Sequence, residues 1–197
     1  MEKKLSHAGE PLKLAHGGAM AMCDGKEGRM SENEGKAKGK GQRVLVAYFS
    51  ATGTTARAAA AVADELGAEL VEIEPAEPYT AADLDWNDRR SRSSREMGDE
   101  AARPRLAAAP GDLAAFDAVL IGFPIWWYVA PRIVDTWVET AAGALAGKTV
   151  VTFATSGGSG MGRTTAELER LAPSARWRDG AVLHGERAAR AWAAGIA

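Results

Sequence analysis

The segment from Val44 to Thr55, VLVAYFSATGTT, constrains the fold more than any other part of the chain. It begins with an unbroken apolar run and ends in a loop of hydroxyl side chains around Gly53, after which an alanine-rich stretch favours a helix. A short run that is apolar throughout predicts a β-strand buried on both faces. The first amides of the helix have no partner inside it and lie at the positive end of its dipole. A strand, a hydroxyl-rich loop and a helix in this order therefore predict a phosphate-binding site.

The alternation of strand, loop and helix continues along the rest of the chain. The pattern predicts strands over Arg43–Phe49, Glu69–Glu74, Ala118–Phe123 and Lys148–Ala154 and near Ala181–His184, and helices over Thr54–Leu66, Thr164–Leu171 and Glu186–Ala194. A further helix is expected to begin at or near Pro131, because proline suits the first helical position. Short loops that join a strand, a helix and the next strand predict parallel strands, and so an α/β fold.

Length and composition exclude several classes of protein. With 197 residues, 46% of them hydrophobic, the chain can bury the core of one domain. A formal charge of −2 gives no reason to expect a nucleic-acid partner. No apolar run approaches the roughly 20 residues that span a bilayer, and no signal-peptide core is present, so we expect a cytoplasmic protein without membrane association. One cysteine, Cys23, and three scattered histidines predict neither disulfides nor a metal site.

Residues 1–42 differ in composition from the rest of the chain. They are rich in Gly, Lys, Glu and Ser and show no sustained apolar period. This composition predicts a flexible N-terminal extension, followed by one domain over residues 43–197. A tail that contacts a partner protein is the alternative.

A second unusual segment is the long polar connection from Pro75 to Asp117. It contains Trp86, has room for one or two short helices, and carries six arginines against four acidic residues between Asp88 and Arg105. A connection of this length in a compact domain is either functional or disordered. The arginines belong either to a solvated face or to a lid that brings Trp86 and positive charge over a site.

Unusual loops follow three of the predicted strands: Ser50–Thr55, Pro124–Tyr128 and Thr155–Gly162. In an open parallel sheet, ligands bind beyond the carboxyl ends of the strands, so these loops are expected to form one pocket. The first loop lacks the lysine of a nucleoside-triphosphate loop and does not match the GxGxxG fingerprint of NAD sites. A neutral phosphate loop beside an aromatic wall suits flavin mononucleotide (FMN), whose ring is flat and able to stack.

The same three loops carry a resemblance to a known family. SATGTT after a strand is similar to the S/T-x-T-G-x-T phosphate loop of flavodoxins, and FPIWW and SGGSG resemble the second and third flavin loops of flavodoxin-like proteins. The segment YTAADLDWNDRRSRSSREMGDEAARP resembles an insertion found in a bacterial branch of these proteins. The resemblance covers Arg43–Ala197. It implies a three-layer α/β/α sandwich around a five-stranded parallel sheet of order 2-1-3-4-5.

The resemblance also implies FMN as the cofactor and three groups of binding residues. The phosphate loop supplies Ser50, Ala51, Thr52, Gly53, Thr54 and Thr55. The aromatic loop supplies Pro124, Ile125, Trp126, Trp127 and Tyr128, and the third loop supplies Thr155, Ser156, Gly157, Gly158 and Gly160. The alternatives are an ordinary capped turn at the first loop, core packing of both tryptophans, and a plain turn at the third loop.

These features predict a flavin-dependent oxidoreductase in which the cofactor does the chemistry, without catalytic side chains or a metal. It could transfer electrons between proteins, as flavodoxins do, or use NAD(P)H to reduce a quinone or another small acceptor. Carriers of this family tend to be strongly acidic, so the mild charge of this chain favours a small acceptor, and the arginines near Asp88 could guide NADPH. A non-catalytic flavin-binding module is a further alternative.

Overall fold

A five-stranded parallel β-sheet organises the part of the chain that the structure describes, which is residues 42–196 of a computed structural model. The strands are β1 (Val44–Tyr48), β2 (Glu69–Glu72), β3 (Ala118–Pro124), β4 (Thr149–Thr155) and β5 (Arg176–Val182). Their order in the sheet is β2-β1-β3-β4-β5, and each neighbouring pair is parallel. The predicted fold and strand order are therefore confirmed.

Helices cover both faces of the sheet. The helices are α1 (Thr54–Leu66), α2 (Arg92–Gly98), α3 (Arg132–Leu145), α4 (Thr164–Glu169) and α5 (Glu186–Ile196). One buried cluster joins small residues of α1 and α5, such as Val62 and Ala189, to Leu120 of the sheet. On the other face, Ile133 of α3 and Leu168 of α4 belong to a second cluster. Alternate residues of each central strand enter opposite clusters, which is why those strands are apolar throughout.

The two edge strands show the largest differences from the predicted strand bounds, whereas the bounds of the three central strands change by at most one residue at each end. Strand β5 begins at Arg176, whereas the sequence placed a short strand near Ala181–His184. Its sequence, RWRDGAV, is half polar because an edge strand faces solvent, so it has no apolar run that would mark its start. Strand β2 ends at Glu72 instead of Glu74, and all four of its residues are exposed.

Three predicted helix boundaries also change slightly. Pro131 is the N-cap of α3, so the helix begins one residue later, at Arg132. Helix α4 ends at Glu169, and helix α5 continues to Ile196. The predicted extension over residues 1–42 lies outside the described residues, apart from its last position.

The order of the strands places three loops side by side. Strand β3 pairs with both β1 and β4, so the loops that follow these strands leave the same edge of the sheet. Backbone hydrogen bonds continue past the strand ends: the amide of Phe49 donates to the carbonyl of Gly122 at 2.9 Å, and that of Ile125 donates to Thr155 at 2.9 Å. Each loop thus starts from a fixed position.

Two negative findings apply to residues 42–196. No helix there combines the length and apolar character needed to cross a bilayer. In the same residues, no three His, Cys, Asp or Glu side chains come together in a way that could hold a metal ion.

Candidate functional site

A pocket of about 410 Å³ lies at the carboxyl ends of β1, β3 and β4. The three predicted loops contribute most of its wall, and the long connection before β3 contributes the rest. Its lining consists of Ala51, Thr52, Thr54, Thr55, Leu84, Trp86, Ser93, Pro124, Ile125, Trp126, Trp127, Tyr128 and Ser159. No acidic or basic side chain is among them, so backbone amides are the charge-bearing groups to look for in the lining itself.

The first loop supplies such amides at the start of α1. Gly53 is the N-cap and has a φ of 81°, a left-handed conformation that glycine adopts without steric cost. Its carbonyl accepts a hydrogen bond from the amide of Arg57 at 3.2 Å, so the helix begins there. The amides of Thr54 and Thr55 have no intrahelical acceptor, and no acidic residue in the first turn competes for them. This helix end is therefore arranged to bind an anion.

Two hydroxyl groups of the first loop are buried, one with a hydrogen-bond partner and one without. The hydroxyl oxygen of Thr55 lies 2.7 Å from that of Thr155 at the end of β4, and both residues are buried. The Oγ atom of Ser50 is buried and has no hydrogen-bond partner among the described residues. A buried hydroxyl without a partner is costly, so the Ser50 hydroxyl is available for a hydrogen bond to a bound ligand or a water molecule.

The second loop is a tight turn with an unusual backbone. Trp126 and Val129 exchange two backbone hydrogen bonds of 3.0 Å. Between them, Trp127 and Tyr128 have φ values of 46° and 69°, which bulky residues rarely adopt. Backbone strain of this kind occurs mainly at functional sites, where it holds the side chains in a particular position. The Tyr128 side chain is among the most exposed large side chains of the described residues.

The two tryptophans of this loop have different environments. The Trp126 ring packs edge-on against Phe49 and Tyr79, with centroids 5.7 and 5.4 Å away. Trp127 is exposed, and both residues line the pocket. Trp126 is thus a fixed part of the wall, and Trp127 is free to contact a ligand.

The third loop forms a compact turn instead of a broad pocket wall. The Ser156 hydroxyl accepts hydrogen bonds from the amides of Gly158, at 3.1 Å, and Ser159, at 2.7 Å. Only Ser159 of this loop lines the pocket, and it was not predicted. Gly162 has a φ of 56°, and a Cβ there would lie 3.1 Å from the carbonyl oxygen of Tyr128, so the loop packs closely against the aromatic turn.

The structure brings most of the predicted residues to the pocket wall, but some lie behind it. Those that do not line the pocket are Ser50, Gly53, Thr155, Ser156, Gly157, Gly158 and Gly160. Gly53, Thr155 and Ser156 shape the loops through backbone conformation or hydrogen bonds. Their predicted role in binding a cofactor remains a prediction.

The long connection adds a wall that the three loops do not account for. Leu84, Trp86 and Ser93 line the pocket, and of these the sequence had singled out only Trp86, as part of a possible lid. Trp86 is 73% exposed. Ser93, by contrast, is buried at the start of α2. A lone tryptophan among charged residues, in LDWNDRR, was the one available signal.

A cluster formed by Tyr79, Arg92 and Glu96 joins two parts of this connection, and the Tyr79 ring also packs against Phe49 and Trp126. We call Tyr79, Arg92 and Glu96 the latch. The Tyr79 hydroxyl donates to Glu96 at 2.5 Å, and Arg92 donates to the same carboxylate at 2.6 Å while its guanidinium lies 4.1 Å from the centre of the Tyr79 ring. Burial and the hydrogen bond to Glu96 raise the pKa of Tyr79. Arg92 is therefore committed to packing, whereas Arg89 and Arg90 are exposed.

Comparisons with known proteins agree with this geometry. A family model for flavodoxins matches residues 43–195. A solved structure from Bacteroides eggerthii, assigned as a flavoprotein, is 50% identical, with 77% of this chain and 96% of that chain covered and a TM-score of 0.71. A second such structure, from Bacteroides uniformis, is also 50% identical, with 78% and 98% covered and a TM-score of 0.72.

A more distant structure shares the fold. The Lactobacillus acidophilus flavoprotein, solved in complex with FMN, is 20% identical, with 77% of this chain and 99% of that chain covered and a TM-score of 0.59. No protein matches in the comparison with curated proteins.

Proposed function

This chain belongs to the flavodoxin family, and we propose that it binds FMN and uses the flavin to transfer electrons or hydride. The observation that carries the proposal is the start of α1. Free amides of Thr54 and Thr55 and the partnerless hydroxyl of Ser50 lie there, beside an aromatic turn and a pocket lining without charged side chains. These groups suit a phosphate joined to a flat ring.

The residues present fit both parts of FMN. The phosphate would accept hydrogen bonds from amides of the first loop and from hydroxyls such as that of Ser50, at the positive end of the α1 dipole. The ring would lie against the aromatic turn, where Trp126 is held by Phe49 and Tyr79. When bound, the flavin supplies the capacity to accept and donate one or two electrons.

The chain itself binds, orients and shields the cofactor. The neutral phosphate loop anchors one end, and the side chains of Trp126 and Ile125 limit the contact of water with the ring. The pocket lining contains no carboxylate, histidine or lysine that could move a proton. Protons that accompany the electrons would therefore exchange with solvent through the pocket mouth.

We favour reduction of a small acceptor over electron transfer between proteins. The mouth of the pocket is lined by aromatic rings without charged groups, which suits a flat molecule better than a charged protein surface. A protein carrier is the second candidate, because exposed apolar side chains such as Trp86 and Tyr128 also occur at docking surfaces.

The first experiment is a titration of the protein, freed of flavin, with FMN and with riboflavin. Purified protein is expected to be yellow, with bands roughly near 375 and 450 nm. Riboflavin lacks the phosphate and should bind at least about tenfold more weakly, a loss of about 1.4 kcal/mol. Equal affinities would contradict the phosphate site, and no binding of either flavin would contradict the proposed function.

A second experiment separates the two candidates. Steady NAD(P)H oxidation in the presence of a quinone would support the enzyme, and efficient one-electron exchange with a protein partner only would support the carrier. The hypothesis that arginines guide NADPH is tested with Arg89 and Arg90, since Arg92 belongs to the latch. The double variant R89Q/R90Q should raise the NADPH Michaelis constant and leave that of NADH unchanged; equal effects on both would contradict it.

A further inference from the structure

We infer that Arg57 determines the selectivity of the site for a phosphorylated flavin, because its guanidinium brings a full positive charge to the start of α1, where the loop itself has none. The ligand that this charge selects is a phosphate ester with two negative charges. The inference rests on the proposed function, since it concerns the same site. It goes beyond the motif that carries the resemblance, because that motif, SATGTT, ends at Thr55.

The geometry of α1 directs the Arg57 side chain back toward the phosphate loop. Arg57 is four residues after Gly53, and its amide donates to the Gly53 carbonyl at 3.2 Å, so the two residues lie on the same face of the first turn. Side chains of an α-helix lean toward its amino end. The Nη1 atom of Arg57 accordingly lies 3.6 Å from the point that a Cβ added to Gly53 would occupy.

The space beside Gly53 is otherwise open. Of the described residues other than Gly53 and its two chain neighbours, only Arg57 has an atom within 4 Å of that point. A phosphate that accepts hydrogen bonds from the amides of Thr54 and Thr55 would lie at the same end of the helix as this guanidinium. Arg57 can therefore act on a bound phosphate although it does not line the pocket.

No carboxylate within residues 42–196 neutralises Arg57. Its guanidinium forms no ion pair there, whereas those of Arg92 and Arg132 each donate to a carboxylate. The first turn of α1 has no acidic residue, and the two acidic residues of this helix, Asp64 and Glu65, lie in its last turn. Arg57 is also exposed, so its side chain can turn toward a ligand without breaking an ion pair.

The positive charge at this helix end suits a dianion. The helix dipole contributes the equivalent of about half a positive charge, and Arg57 adds one more. A phosphate ester carries about 1.5 to 2 negative charges at pH 7. Riboflavin has the same ring but no phosphate, so the attraction of Arg57 acts on FMN and not on riboflavin.

Equilibrium binding of the two flavins tests the inference without turnover. The flavin-free full-length protein is titrated with FMN and with riboflavin at low salt, and the quenching of flavin fluorescence gives each dissociation constant. Arg57→Gln should raise the constant for FMN about fivefold or more, because one exposed charge faces two opposite ones. The constant for riboflavin should change by less than about twofold, which also shows that the pocket of the variant is intact. Arg57→Lys keeps the charge and should bind FMN within about twofold of the wild type.

Salt and a matched variant distinguish a local charge effect from other causes. The screening length falls from about 30 Å at 0.01 M salt to about 3 Å at 1 M, so the difference in FMN affinity between the wild type and Arg57→Gln should shrink at 1 M KCl. Arg176→Gln removes the same charge from an exposed arginine at the first residue of β5, at the amino end of the sheet. This control should leave the affinity for both flavins unchanged.

The failures are distinguishable. Equal FMN affinity of the wild type and Arg57→Gln at low salt overturns this inference alone. An equal loss of FMN and riboflavin affinity also overturns it, because Arg57 would then act on the fold or the ring. A loss in Arg57→Lys as large as that in Arg57→Gln shows that charge is not the cause, with the same consequence. If the wild-type protein binds no FMN, the proposed function itself fails.

Discussion

The hydroxyl oxygens of Thr55, which lines the pocket, and of Thr155, which lies behind its wall, are 2.7 Å apart, and both residues are buried. Thr55 is in the first turn of α1, and Thr155 ends β4, so one hydrogen bond joins the first and third loops across β3. This bond connects the start of α1 to the end of β4 through side chains and uses no backbone amide of the phosphate loop.

We expect Thr155→Val to destabilise the flavin-free protein by about 1 kcal/mol, because it leaves the buried Thr55 hydroxyl without its partner. FMN affinity should fall as well, since the first turn of α1 loses a support. Thr155→Ser keeps the hydroxyl and serves as the control. Urea unfolding and FMN titration measure the two effects, and equal stability of the valine and serine variants would contradict the prediction.

Substitutions at the two glycines that flank α1 distinguish the effect of backbone strain on stability from the effect on ligand binding. Gly53 and Gly67 flank the same helix with φ values of 81° and 60°. Replacing either with alanine should cost about 1 kcal/mol of stability, because both positions are left-handed. Only Gly53→Ala should also weaken FMN binding, by about tenfold, since it disturbs the amides that face the phosphate. The prediction fails if the two variants bind FMN equally well.

We expect the backbone at Tyr128 to be strained, and we expect this conformation to position the side chain for ligand binding. Tyr128→Gly should stabilise the flavin-free protein, by up to about 1 kcal/mol, because glycine relieves the positive φ at some entropic cost. Tyr128→Ala removes the same ring but keeps the Cβ, so it should give no such gain. Both variants should bind ligand more weakly. Thermal or urea unfolding decides the matter, and a glycine variant less stable than the alanine variant would rule out strain.

The latch predicts a dependence of stability on alkaline pH. Burial and Glu96 raise the pKa of Tyr79 above its ordinary value of 10.0, so the folded protein keeps a proton that the unfolded chain loses. The contribution of Tyr79 to stability is complete below that ordinary value and declines as the pH rises beyond it. Between about pH 9 and 11, Tyr79→Phe should therefore lose less stability than the wild type. Parallel curves for the two proteins, from urea unfolding at each pH, would show that Tyr79 has no such role.

The sequence alone determined most of the fold, because its central elements depend on local patterns. The apolar run ending at Phe49 has to be buried on both faces, and the hydroxyl-rich loop around Gly53 has to follow it. Helix α1 begins and ends where predicted, since Gly53 and Gly67 mark its two ends. The edge strand β5 was misplaced because a strand that faces solvent carries no comparable pattern.

The pocket was predictable only in part. Loops after adjacent parallel strands had to meet, so the aromatic turn and the phosphate loop could be placed together from the sequence. The positions of Leu84, Ser93 and Ser159 could not, because they depend on how a long connection folds back over the sheet.

Only the tertiary structure revealed the contacts between distant residues. The pairing of Thr55 with Thr155 and the packing of Tyr79 against Trp126 join segments whose separation in the sequence follows no period. Helix and strand patterns arise from neighbours along the chain, so a sequence can state them directly. Contacts of this kind depend on how the helices and loops pack on the sheet. The same packing determines which exposed aromatic rings line the pocket.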